Sequence, residues 1–225
     1  MTGEAHSVDP LPAAPNFDGL AAVYRWMEWC SFGPYLGRCR RAFLPEMRAC
    51  RRALVIGDGD GRFTARLLEE NPEIRIDVVD ASASMLRALK RRAGPHAARI
   101  ATRCMDARKW RAESGRYDLI VTHFFLDCLS TREVRALAGE ICAAAAPHAV
   151  WTISEFAIPR STYGKAVARP AISLLYRAFR WMTGLRVSRL PDYALALRES
   201  GFVLKRRRGW LRGLLVSEMW RVDSR

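Results

Sequence analysis

The chain has 225 residues, half of them hydrophobic and 27% charged, with a formal charge of +14. That length fits one large domain or a domain with an appendage, and that composition excludes global disorder. No run of about 18 apolar residues is free of charges, so no membrane-spanning helix is expected.

Met1 to Pro15 carries acidic residues and prolines instead of a basic stretch followed by an apolar one. It reads as a flexible leader and not as a secretory signal. Six cysteines (30, 39, 50, 104, 128, 142) are scattered without a Cys-x-x-Cys pair or zinc-ligand spacing. They predict reduced thiols in a cytoplasmic protein, with no metal. The charge is uneven. Residues 160–225 hold 15 Lys/Arg against 4 Asp/Glu, whereas residues 1–159 hold 22 against 19. The last third is therefore a basic element suited to an anionic partner.

Phe17 to Phe32 reads as a helix from the three- and four-residue steps of Leu20, Val23, Tyr24 and Met27. Gly33-Pro34 ends it. Tyr35 to Arg52 reads as a second helix with a break at Pro45. The run Ala53-Leu-Val-Ile-Gly57 suits a buried strand. Arg62 to Glu70 is helical and Asn71-Pro72 stops it. Ile74 to Asp80 is a strand. Ser82 to Arg92 is a helix with Ser82 or Ser84 as N-cap. Arg99 to Cys104 and Tyr117 to Thr122 are strands. Thr131 caps a helix running to about Ala146. Ala149 to Phe156 is a fifth strand. Residues 159–184 insert a segment with helical periodicity, and Asp192 to Ser200 is again helical. Phe202 to Arg208 and Leu214 to Arg221 form two final strands making an antiparallel edge. The alternation predicts an α/β fold: a Rossmann-like, seven-stranded, mostly parallel sheet with an antiparallel C-terminal edge and helices on both faces. Residues 16–225 then form one domain, with a helical cover at 16–52 and an inserted helical lid at 160–190.

The informative stretch is Leu54-Val-Ile-Gly57-Asp58-Gly59-Asp60-Gly61-Arg62, which follows a strand and opens a helix. A dinucleotide fingerprint needs Gly-x-Gly-x-x-Gly, and its third position here is Arg62. Asp58 and Asp60 would also repel a pyrophosphate held on backbone amides. A cationic nucleoside such as S-adenosylmethionine, with its sulfonium and ammonium, suits the loop better. Asp80 closes the second strand, 19 residues after Gly61. A carboxylate there accepts from both ribose hydroxyls. Asp106 and Ala107, after the third strand, stand where the adenine amino group would be met. Ala81 follows Asp80, and Met85 is placed to pack on the adenine face.

With these elements in order, the chain resembles the class I S-adenosylmethionine-dependent methyltransferases from about Phe17 to Val222. It is similar to the small-molecule group that includes the ubiquinone/menaquinone C-methyltransferases. Phe17-Asp-Gly-Leu-Ala21-Ala-Val-Tyr24 matches their Phe-x-x-x-Ala-x-x-Tyr start, and Glu155-Phe156-Ala-Ile-Pro159 matches the end of their fifth strand. The resemblance implies Tyr24, Gly57, Asp58, Gly59, Gly61, Asp80, Ala81, Met85, Asp106, Ala107 and His123 as the cofactor set. The chain departs from the family at Val55, where a carboxylate is usual, so that Asp58 or Asp60 must substitute. It departs again at Ala146-Pro147-His148, where Pro-Gly-Gly is usual.

Methyl transfer needs alignment and water exclusion more than it needs catalytic side chains, plus a base where the acceptor carries a proton. His123 and Asp127, just after the fourth strand, are the candidate bases. His123-Phe-Phe-Leu lacks the Asn/Asp-Pro-Pro-Tyr/Phe turn of base-modifying enzymes, which argues against nucleic-acid amino methylation. Aromatic residues in the cover and lid suit a small aromatic or lipophilic, quinone-like acceptor. The Arg177–Trp181 and Lys205–Arg212 patches suit an anionic membrane surface, placing a cytoplasmic protein at its periphery. The rival readings are a nucleotide-dependent oxidoreductase and a non-catalytic cofactor-binding or membrane-surface protein.

Overall fold

The computed structural model describes residues 34–113, 115–159 and 191–223. The expected first helix with Tyr24 and the inserted segment at 160–190 lie outside the described residues.

The apolar run Ala53-Leu-Val-Ile becomes β1 (Arg52–Ile56), with each of these four residues 1% exposed or less. Its alternate side chains serve two cores. Val55 packs with Phe63, Leu67, Leu119 and Val121 on one face, and Leu54 and Ile56 pack with Ile120 and Trp110 on the other. A strand covered on both faces has no polar side, which is why it reads as a continuous apolar run. Each such side chain contributes about 1.5–3 kcal/mol by leaving water.

Around β1 lie β2 (Arg75–Asp80), β3 (Ile100–Cys104), β4 (Tyr117–His123), β5 (Ala145–Phe156), β6 (Phe202–Trp210) and β7 (Leu215–Val222). The strand order is β3-β2-β1-β4-β5-β7-β6. The first five strands are parallel, and β7 runs antiparallel to both β5 and β6. The expected architecture is therefore present, with the reversed strand one place in from the edge. The order reverses between β1 and β4, so the loops leaving those strands diverge and open a crevice at their carboxyl ends.

Helices α1 (Tyr35–Arg40), α2 (Arg62–Glu70), α3 (Ala83–Ala93), α4 (Thr131–Ala144) and α5 (Tyr193–Glu199) cover the sheet. Ser82 is the N-cap of α3, accepting from the Met85 N–H. The helix expected over Tyr35–Arg52 stops at Arg40, and Pro45 begins a separate 3-10 turn at Leu44–Met47. Proline lacks the N–H that a continuing helix needs and forces the preceding residue out of helical angles. Thr131 does not cap α4. Ser130 does, in a reciprocal capping box with Glu133. The fifth strand starts four residues before the expected Ala149. It passes through Pro147 because His148 takes the left-handed turn (φ +63°) that the family's glycines would supply.

Candidate functional site

The loop between β1 and α2 divides its labour among its glycines. Gly57 has φ +70°, and a Cβ there would stand 2.3 Å from Cδ2 of Phe125. The loop after β4 thus lies directly on Gly57. Gly61 (φ +79°) ends the loop against Leu89 of α3, so it closes the packing of two helices. Gly59 (φ +58°) has nothing within 4 Å of a notional Cβ. It is the point where backbone stands open to a ligand.

The two loop carboxylates have separate tasks. Asp58 Oδ2 accepts the Thr64 N–H at 2.8 Å, tying the loop into the first turn of α2. Asp60 turns to Arg92 (2.8 Å) and Arg62 (3.3 Å). Val55 is buried in the core. The loop is therefore organised from within, by Asp58, in place of a strand carboxylate. Burial raises the Asp58 pKa to about 6, against the lowering effect of its Thr64 bonds. Its folded pKa lies above its unfolded value, so this stabilisation is complete below about pH 4 and is lost as pH rises through 6. Asp58→Asn keeps the acceptor for Thr64 N–H. It should raise Tm at pH 8 and leave it unchanged near pH 4, as thermal melts at the two pH values would record.

At the end of β2, Asp80 Oδ1 accepts the Ser82 N–H at 2.8 Å, which fixes the carboxylate at the strand terminus. Ala81 is exposed beside it, and Met85 is buried one turn into α3. Asp106 follows β3 and begins the 3-10 turn at Ala107–Lys109, with Ala107 buried. Its carboxylate is gripped by Arg108, whose Nε lies 3.0 and 2.9 Å from the two oxygens. Arg108 also binds Glu133 at 3.0 Å. Burial pushes the Asp106 pKa up, but the Arg108 hydrogen bonds and charge outweigh it and hold the group below the usual carboxylate range. An Asp106 that accepts from an adenine must do so while serving Arg108.

His123 ends β4 and is 5% exposed, edge-on to Phe63 with ring centroids 4.6 Å apart. Neither ring nitrogen has a hydrogen-bond partner among the described residues. Burial, aided by the Arg40 charge, lowers its pKa to about 3, so the imidazole is neutral. Phe124 adopts φ +54°, packs on Phe156 at 5.2 Å, and has the Arg40 guanidinium 5.2 Å from its ring centroid. Asp127 is buried in the turn at Leu126–Cys128.

Two residues of the site are not identifiable from the sequence. Glu155, at the end of β5, is 1% exposed, and its Oε1 accepts the N–H groups of Phe125 (3.1 Å) and Leu126 (2.8 Å). It holds the turn that carries Asp127. Burial and the Asp127 charge push its pKa well above the usual value. The Glu155-Phe156 motif is visible in the sequence, but nothing there shows that its carboxylate reaches across to the β4 loop. Arg40 is the other. It is one of several arginines in a helix until the fold sets it over Phe124.

Acidic side chains converge on the strand ends. The Cys128 thiol, raised by burial, also feels the charges of Asp127, Glu155 and Asp80, which draws together the ends of β2, β4 and β5. The Asp80 and Asp127 carboxylates at these strand ends suit a cationic nucleoside better than a pyrophosphate. Among the described residues no group of three or more His, Cys, Asp or Glu side chains is arranged to hold a metal.

Residues 53–148 match the family model of a methyltransferase domain. No curated protein matches the chain. Among solved structures, the chain is similar to a putative O-methyltransferase from Nostoc punctiforme, with 19% identity and a TM-score of 0.73 over 96% of this chain and 64% of that one. It is similar to the N-methyltransferase NodS from Bradyrhizobium japonicum in complex with S-adenosyl-L-homocysteine, with 18% identity and a TM-score of 0.60 over 84% and 88%. It is also similar to the mitomycin 7-O-methyltransferase MmcR, with 15% identity and a TM-score of 0.69 over 91% and 60%. These likenesses show the fold. The matched segment takes in the glycine loop, both strand-end carboxylates and the β4 turn, so residues 53–148 form a methyltransferase domain.

Proposed function

We propose that the acceptor is a small aromatic or lipophilic molecule of quinone-like character, methylated in the crevice between the β1 and β4 loops. The observation that carries this reading is the aromatic cluster at the carboxyl ends of β4 and β5. There Phe124 packs at a tilt against Phe156 and lies under the Arg40 guanidinium, with Asp127 buried three residues further along the chain. Aromatic faces and a cation suit a planar, electron-rich acceptor. Bound S-adenosylmethionine supplies an electrophilic methyl group on a sulfonium. The chain's part is to hold it and to seat the acceptor. In this reading Gly57, Gly59 and Asp58 frame the amino-acid end, with His123 beside it. Gly61 sets the entry of α2. Asp80 and Ala81 take the ribose, and Met85, Asp106 and Ala107 take the adenine.

Where the acceptor carries a proton, Asp127 is the residue to receive it. His123 is held neutral by its surroundings and takes up a proton poorly, so its role is to line the pocket. The test is transfer of labelled methyl to hydroxylated quinones and phenols by three proteins. Asp127→Asn should lower kcat about 10²- to 10⁴-fold. His123→Gln should act mainly on the cofactor KM. Loss of kcat in His123→Gln with Asp127→Asn unaffected would reverse the two roles. No turnover by the wild-type protein on any such acceptor would sink the acceptor class. A membrane-peripheral location suits a lipophilic acceptor and, with the cytoplasmic location expected from the scattered cysteines, belongs to the same proposal.

A further inference from the structure

The fold brings together arginines that lie far apart in the chain. Arg38 and Arg41 on and just after α1, Arg48 after the 3-10 turn, Arg66 on α2 and Arg208 on β6 line one groove of about 330 Å³. Glu70 is the single carboxylate in its lining. Glu70 is itself shared, with Arg48 at 2.8 Å and Arg66 at 2.7 Å, so it fixes two guanidiniums in place without balancing the rest. Among the described residues no carboxylate pairs with Arg38, Arg41 or Arg208. Arg38 stands over the Tyr35 ring and Arg208 over the Phe43 ring, which orients both side chains. Pro45 and Trp210 add apolar surface to the same wall.

Arg66 is also paired with Glu69 at 2.8 Å, which leaves the guanidiniums of Arg38, Arg41 and Arg208 to repel one another across a concave surface, a cost that a bound anion relieves. Guanidinium presents a planar fork of donors that matches phosphate oxygens two at a time. A concavity of this size takes a headgroup-sized anion and not a strand of nucleic acid. We propose that this groove is a phosphate-binding site, separate from the methyl-transfer crevice, for a phosphate group borne either by a lipid headgroup or by a soluble ester. Its occupation does not depend on the identity of the methyl acceptor.

The test uses the full chain at physiological ionic strength, where loose attraction between exposed charges is largely screened. Inorganic pyrophosphate is titrated calorimetrically into wild type, into the Arg38→Gln/Arg208→Gln double variant, and into an Arg87→Gln/Arg91→Gln control with the same charge change on exposed positions of α3. In parallel, the three proteins are sedimented with phosphatidylcholine vesicles with and without phosphatidylglycerol. Wild type and control should bind alike. The double variant should bind at least about tenfold more weakly, with its affinity for S-adenosylhomocysteine unchanged. Binding of pyrophosphate alone identifies a soluble ester as the source, and binding of anionic vesicles alone identifies a headgroup. Binding of neither probe overturns the proposal. So does an equal loss in the double variant and the control, which would show that net charge and not the groove is responsible.

Discussion

Asp80→Ala should weaken binding of S-adenosylmethionine at least about tenfold in calorimetry. In the proposed placement of the cofactor the carboxylate at the end of β2 accepts from a ribose hydroxyl pair, and charge-assisted bonds of that kind contribute about 1.5–3 kcal/mol each. Alanine removes both. Asp80→Asn keeps an acceptor for the Ser82 N–H at 2.8 Å and keeps the start of α3 in place, so its affinity should fall between those of wild type and alanine. Neither change should move Tm by more than a few degrees, because Asp80 is only partly buried and Ser82 caps α3 with its own side chain. An unchanged affinity in the alanine variant means that the ribose lies elsewhere.

The second large effect separates two glycines that look equivalent in the sequence. Gly57→Ala should lower stability by roughly 2–4 kcal/mol, or about 5–15 °C in Tm. The new methyl group meets the Phe125 ring at 2.3 Å, at a backbone angle that L side chains avoid. Gly59→Ala has a left-handed angle too, but open space around it. It should lose only about 1 kcal/mol of stability while weakening cofactor binding, because the methyl group occupies the opening. Phe125→Ala should restore part of the Gly57→Ala loss, whereas it should not rescue Gly59→Ala. Melting and titration of the four proteins would read both effects. Equal melting temperatures for the two glycine variants would refute the division of labour in the loop.

The strands were legible because a sheet covered on both faces writes itself as unbroken apolar runs, as in Ala53–Ile56 and Leu119–Val121. Helix α2 was legible to the residue, because a glycine loop starts it and Asn71-Pro72 ends it. What failed were boundaries decided by tertiary contacts. Helix α1 ends before Pro45, since the chain must turn to bury Phe43 and Met47. The fifth strand begins early because His148 accepts a left-handed angle. In the site, residue types and order were readable, but their engagements were not. Asp106 looked available, although Arg108 two residues on was a warning that its charge is shared. Glu155 looked like a family ornament, and its bonds to the β4 turn span 30 positions of sequence. The arginine groove was invisible because Arg38 and Arg208 meet only in the folded chain.

Cofactor binding is most directly tested by a crystal structure of the protein grown with S-adenosylhomocysteine. The nucleoside should lie in the crevice at the carboxyl ends of β1, β2 and β3, with its ribose hydroxyls on Asp80 and its amino-acid end passing over Gly59. Density for the nucleoside at any other place, or a crevice left empty at saturating concentration, would contradict this assignment.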